Sequence, residues 1–100
     1  MSKVKHIVLI KFKDGTAEEQ INKFFDDTLD LSESVEGIDD YVSGANCSVE
    51  AANHGMTHGF IMTFADSAAR DAYLVHPEHE RFKAAMLPLL DGYLIFDFEV

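Results

Sequence analysis

Residues 92–100, GYLIFDFEV, carry apolar side chains on both of their alternating rows. Leu94, Phe96 and Phe98 fall on one side of an extended strand, and Tyr93, Ile95 and Asp97 on the other. A strand with one wet face keeps one polar row, so this segment has to be covered on two sides. The same demand recurs at residues 3–13, KVKHIVLIKFK. There Val4, His6, Val8, Ile10 and Phe12 share a face, with Ile7 and Leu9 opposite. It recurs at 56–64, MTHGFIMTF, where His58, Phe60, Met62 and Phe64 oppose Gly59, Ile61 and Thr63. Helices cover only one face of such a sheet. Left open, the other would exceed the ~300–600 Å² apolar patch usual on a monomer. The pattern therefore predicts a homodimer with two sheets packed face to face about a two-fold axis, through Ile7, Leu9, Ile61, Leu94, Phe96 and Phe98.

The segments between these strands read as helices and one weaker strand. Thr16 and Glu19 have capping-box spacing after the Asp14-Gly15 turn. Ile21, Phe24, Phe25, Thr28, Leu29, Ser32 and Val35 follow at helical spacing, and Gly37 is a natural stop. Asp26, Asp27, Asp30 and Glu33 form the solvated side of that helix. Residues 38–47 read as an edge strand, followed by a polar loop holding His54. Asp66 or Ser67 caps a short helix over residues 68–75. Pro77 begins another, with Phe82, Ala85, Met86 and Leu89 as its apolar stripe, and Pro88 ends it near Met86. The order βαββαβ predicts an α+β, ferredoxin-like fold: a four-stranded antiparallel sheet with helices on one face.

A chain of 100 residues is expected to form a single domain over 1–100. Its 18 acidic and 8 basic residues give a formal net charge of -10, which repels phosphate backbones and anionic lipid. Neither nucleic acid nor membrane is therefore an expected partner. Cys47 is the one cysteine, so no intrachain disulfide forms, and a reducing, cytoplasmic setting fits. With no activating base nearby in sequence, Cys47 reads as a small buried or half-buried residue rather than a nucleophile. The apolar run near the start is too short to span a bilayer and is followed by lysines, unlike a signal peptide or anchor.

The segment YLVHPEHERF, 73–82, holds most of the chemistry. With Pro77 at the first helical position, His76 falls at the N-cap and His79 at the third helical residue. The positive end of a helix disfavours a protonated ring, so His79 is expected to be neutral, a usable base or electrophile. The break at His76-Pro77 turns the chain, so that Tyr73 and His79 are expected to face one cavity. A metal site would need further ligands, and His6 and His58 each begin strands expected to run antiparallel as neighbours. They would lie at opposite ends, so no metal is expected. Plainer roles stay open at this point: a cap for His76, an exposed turn for His79, and core or helix-surface positions for His6, His58 and Tyr73.

Together VKHIVLIKFKD, THGFIMTF, YLVHPEHERF and LIFDFEV resemble the stress-responsive A/B barrel family, over nearly the whole chain. The resemblance implies a dimeric α+β barrel with sheets stacked. It also implies, from the family's plant polyketide cyclase, cofactor-free aldol chemistry on an enolisable carbonyl compound. On that resemblance Tyr73 and His79 would be the catalytic pair. His6, His58, His76 and Asp97 would surround them, with Phe24 and Phe82 lining a pocket for a small apolar carbonyl ligand. Thr28 and Leu90 stand where the cyclase has larger aromatics, which implies an altered lining. The alternatives are a non-enzymatic stress-response or small-ligand-binding protein, and a cofactor-free oxygenase of the kind found in other dimeric α+β barrels.

Overall fold

The computed structural model describes residues 2–100. Strand β1 (Val4–Phe12) leads to helix α1 (Glu18–Ser34) and the strands β2 (Ile38–Ala45) and β3 (His58–Phe64). Helices α2 (Ser67–Leu74) and α3 (Pro77–Met86) follow, then a 3-10 turn (Leu87–Leu89) and strand β4 (Leu90–Glu99). The sheet order is β2-β3-β1-β4, and every neighbouring pair is antiparallel. This is the expected ferredoxin-like α+β plan, with β1 and β3 central and β2 and β4 at the edges.

The alternation read from the sequence sets the two faces. Val4, His6, Val8, Ile10 and Phe12 of β1 are all buried, as are Phe60, Met62 and Phe64 of β3. Val4 lies across from Phe64, His6 from Met62 and Ile10 from His58. The two β-strand histidines therefore sit four positions apart along the sheet, ~13 Å at strand rise. Helix α1 covers this inner face with Phe24, Thr28, Leu31 and Ser32. Here the sequence reading needs a correction: Leu31 is 5% exposed and Leu29 44%. The buried row 24-28-31-32-35 is a tighter helical stripe than the one expected, and Leu29 falls on its flank.

The start of α1 also differs by one residue. The Thr16 hydroxyl donates to the Lys13 carbonyl at 2.6 Å and so closes the preceding turn instead of capping the helix. Ala17 is the N-cap, and the Gln20 side chain accepts from the Ala17 N–H at 3.0 Å. At the other end Gly37 has a φ of 92°, and a Cβ there would stand 2.7 Å from the Ala69 Cβ. A glycine is needed for both reasons: the left-handed backbone, and the close approach of α2. Helix α3 ends at Met86, just before Pro88, as the missing N–H requires.

The outer face carries the second apolar row. Phe96 is 66% exposed, and Leu94, Phe98, Leu9 and Val42 are also open. A groove of about 520 Å³ on this side is lined by Ile7, Leu9, Val42 and Ile61 together with the 46–56 loop. Cys47 lies there and is exposed, neither buried nor half-buried, since β2 ends two residues earlier at Ala45.

Candidate active site

The turn between α2 and α3 builds the site. Asp66 caps α2, its side chain accepting from Ala69 N–H at 2.8 Å. Helix α2 ends at Leu74, and His76 caps α3 by accepting the Glu78 N–H on Nδ1 at 3.0 Å. His79 then reaches back, its Nδ1 lying 3.2 Å from the Leu74 carbonyl. A carbonyl only accepts, so Nδ1 of His79 carries the proton and Nε2 holds the lone pair when the ring is neutral. The same bond pins α3 to the end of α2 across the proline break.

Tyr73 is 2% exposed. Its ring packs on Phe64 at 5.2 Å, edges against His6 at 6.0 Å, and lies nearly face to face with His79 at 4.2 Å and 30°. The Tyr73–His79 contact is thus one of stacking. Burial pushes the Tyr73 phenol well above its ordinary pKa, and the neighbouring Tyr41 phenol acts in the same direction. At neutral pH it is a protonated donor. No described residue hydrogen-bonds this hydroxyl, yet every fully buried polar side-chain atom among the described residues has a partner. The hydroxyl is therefore not fully enclosed, and Tyr73 is one of the residues that line the pocket between sheet and helices.

That pocket has a volume of about 270 Å³, between the inner sheet face and α1, α2 and α3. Its walls are Val8, Ile10, Phe24, Phe82, Met86 and Leu90, and its polar groups include His6, Tyr73 and His79. It lies just below the ~300–1,000 Å³ typical of ligand sites. Burial is the largest influence on His79 and lowers its pKa, as do Lys83 and His6, against the Leu74 bond and Glu80. A desolvated imidazole sheds its proton more readily. The position of His79 in the first turn of α3 favours the neutral ring as well.

His6 is 3% exposed and faces Asp97 across the β1–β4 register. Its Nδ1 lies 2.7 Å from Asp97 Oδ1, and a carboxylate only accepts, so Nδ1 donates and Nε2 is left for the pocket. The other oxygen, Asp97 Oδ2, accepts from Arg70 at 2.7 Å. Arg70 did not emerge from the sequence, although its spacing three residues before Tyr73 puts both on one side of α2.

The structure thus brings Tyr73, His79, His6, Phe24 and Phe82 to one pocket, with Asp97 behind His6. It does not bring His58 or His76 there. His58 lies toward the far end of the sheet, edge-on to Phe12 at 5.4 Å and tilted against Phe25 at 5.5 Å. His76 spends its Nδ1 on the α3 cap. Thr28 is fully buried and bonds the Phe25 carbonyl and the Tyr41 hydroxyl, so it lies behind the wall, whereas Leu90 is part of it. Among the described residues no cluster of three or more His, Cys, Asp or Glu is placed to hold a metal ion. No described helix is long and apolar enough to cross a membrane.

Comparison with known proteins adds three kinds of likeness. Residues 4–100 match the family described as Stress Responsive A/B Barrel Domain. The stress-response A/B barrel domain-containing protein HS1 of Arabidopsis thaliana is 33% identical over 96 residues, 96% of this chain and 88% of that one. The olivetolic acid cyclase of Cannabis sativa is 30% identical over 95 residues, 95% of this chain and 94% of the cyclase. A dimeric ferredoxin-like protein of unknown function from Jannaschia sp. CCS1 superposes with a TM-score of 0.85 at 29% identity, covering 98% and 99% of the two chains.

Proposed function

The chain belongs to the stress-responsive A/B barrel domain family, and from that premise we propose that it catalyses acid–base chemistry of the aldol, cyclase or lyase type on an enolisable carbonyl compound. The observation that carries this reading is that Tyr73, whose hydroxyl has no partner among the described residues, lines the same small apolar pocket as two imidazoles. The cyclase relative supports the reaction class.

In the proposed step the ligand's carbonyl oxygen accepts a hydrogen bond from Tyr73. His79 Nε2 takes the proton alpha to that carbonyl, and the electron pair moves into the enolate that Tyr73 stabilises. The enolate carbon then attacks a second carbonyl of the ligand, or the reverse cleavage occurs, and imidazolium returns the proton to the new oxygen. A neutral His79 is suited to the first half of this exchange, and its lowered pKa favours that form. Pre-aimed donors in a dry pocket contribute most where charge develops on oxygen. His6, held by Asp97, is the second imidazole within the pocket. The step as written uses side chains of the chain alone. The small volume favours a compact ligand.

The same reading includes a homodimer through the outer face, around Ile7, Leu9, Ile61, Leu94, Phe96 and Phe98. The exposed apolar rows and the dimeric relative support it.

Incubation in D₂O with a panel of small apolar ketones and β-dicarbonyl compounds tests the catalytic reading. Deuterium should enter the position alpha to the carbonyl with the native protein, and much more slowly with Tyr73→Phe or His79→Ala. Saturable binding without exchange would replace the enzyme by a ligand-binding protein.

A further inference from the structure

Among the described residues Arg70 is the cation bonded to the carboxylate behind His6, and nothing in the proposed step uses it. It stands on α2, one helical turn before Tyr73. Arg70 and Asp97 are each about four-fifths buried. Its guanidinium divides between two carboxylates: Nη1 lies 2.7 Å from Asp97 Oδ2, and Nε lies 2.8 Å from Asp71 Oδ1. Asp97 in turn spends its second oxygen on His6 at 2.7 Å. Each element packed around His6 supplies one part of its surroundings. Asp97 comes from β4, Phe64 from β3, Arg70 and Tyr73 from α2, and His79 acts electrostatically from α3.

A carboxylate on an edge strand has several rotamers and, unheld, would prefer water. Arg70 removes that freedom by engaging one oxygen with a planar, directional donor. We propose that Arg70 is a positioning residue: it locks the Asp97 carboxylate so that His6 keeps its proton on Nδ1 and offers Nε2 to the pocket. The same tie holds α2 against β4 at the place where α2 presents Tyr73. One ion pair therefore sets two of the polar residues that line the site, His6 and Tyr73. This role rests on the proposed chemistry for its catalytic meaning, but its structural content stands without it. Hydrogen-bonded partners of this kind behind a working imidazole are typically worth ~10–100-fold in activity.

The experiment reads both levels separately. In ¹⁵N-labelled protein the His6 Nδ1–H should give a low-field proton resonance coupled to one ring nitrogen. Arg70→Met, which keeps the apolar stem, should abolish or broaden that resonance. Added guanidinium ion at low millimolar concentration should restore it, and Arg70→Lys should restore it only in part. Asp97→Asn, with Arg70 in place, should lose it as well. For any ketone that exchanges, Arg70→Met should lower kcat/KM by ~10–100-fold, mainly through kcat, with recovery on adding guanidinium. A His6 ring signal unchanged in Arg70→Met overturns the proposal, whether or not a substrate has been found. If the ring signal behaves as expected while no ketone exchanges, the positioning role stands and the catalytic reading fails.

Discussion

Replacing Tyr73 by Phe should make the protein more stable and less active at once. The ring is packed on three sides by Phe64, His6 and His79, and the substitution leaves those contacts intact. Only the oxygen goes, and no described residue bonds to it. A fully buried hydroxyl without a partner would cost ~1–3 kcal/mol, and the small remaining exposure of this one lowers that figure. The expected gain is therefore about 1 kcal/mol, or ~4–8 °C in Tm for a domain of this size. The activity change has the opposite sign. Losing one donor to a developing oxyanion costs ~10²–10³ in kcat. Thermal and urea unfolding, at one fixed protein concentration because assembly shifts Tm, would measure the first. Deuterium exchange would measure the second. A loss of 1 kcal/mol or more would refute the reasoning, since it would mean that the hydroxyl is a structural bond and not a group held ready for a ligand.

The other predictions concern the neighbours of this ring. The folded-state pKa of His79 lies below its ordinary 6.5, so between the two values the unfolded chain binds a proton that the folded chain refuses. Its contribution to stability is complete above about 6.5 and falls away as pH drops through that interval, and His79→Gln should flatten the slope in pH-dependent unfolding. Exchange activity should stay high below pH 6.5 and fall only as His79 finally protonates. His76→Ala should cost about 1 kcal/mol by loss of the α3 cap, with little change in exchange rate, which separates the two histidines of one segment. Gly37→Ala combines a left-handed backbone with a 2.7 Å clash against Ala69, and should destabilise by about 2 kcal/mol in urea unfolding. Phe96→Asp places a charge on the open outer row and should shift sedimentation from dimer to monomer; an unaltered dimer would move the interface elsewhere.

Much of the fold was legible because strands advertise their faces. The two rows of β1 and of β3 follow from a period of two, but alternation alone does not say which row of β4 turns inward; the register with β1, which sets Asp97 beside His6, does. Helix α1 was read less well. Thr16 looked like a cap but bonds Lys13 instead, and Leu29 and Leu31 exchange places because helical phase depends on where the sheet lies. At the pocket, proline chemistry fixed the places of His76 and His79, and that much followed from local rules. Arg70 and Tyr41 did not follow. Their partners Asp97 and Thr28 are 27 and 13 residues away, and such pairings are set by tertiary packing. His58 shared the inner face of its strand with core residues but lies toward the other end of the sheet, a distinction that alternation alone does not carry.

The chain's own 5 histidines supply the most direct test. An alkylphenol resembles an enolate in shape and polarity and fits an apolar pocket with a hydroxyl donor. Titrated into ¹⁵N-histidine-labelled protein, it should shift the ring resonances of His6 and His79 in a saturable way and leave His54, His58 and His76 where they were. Shifts centred on His58 or His76, or no saturable shift at His6 and His79, would contradict the account of this pocket as the place where a carbonyl ligand meets Tyr73.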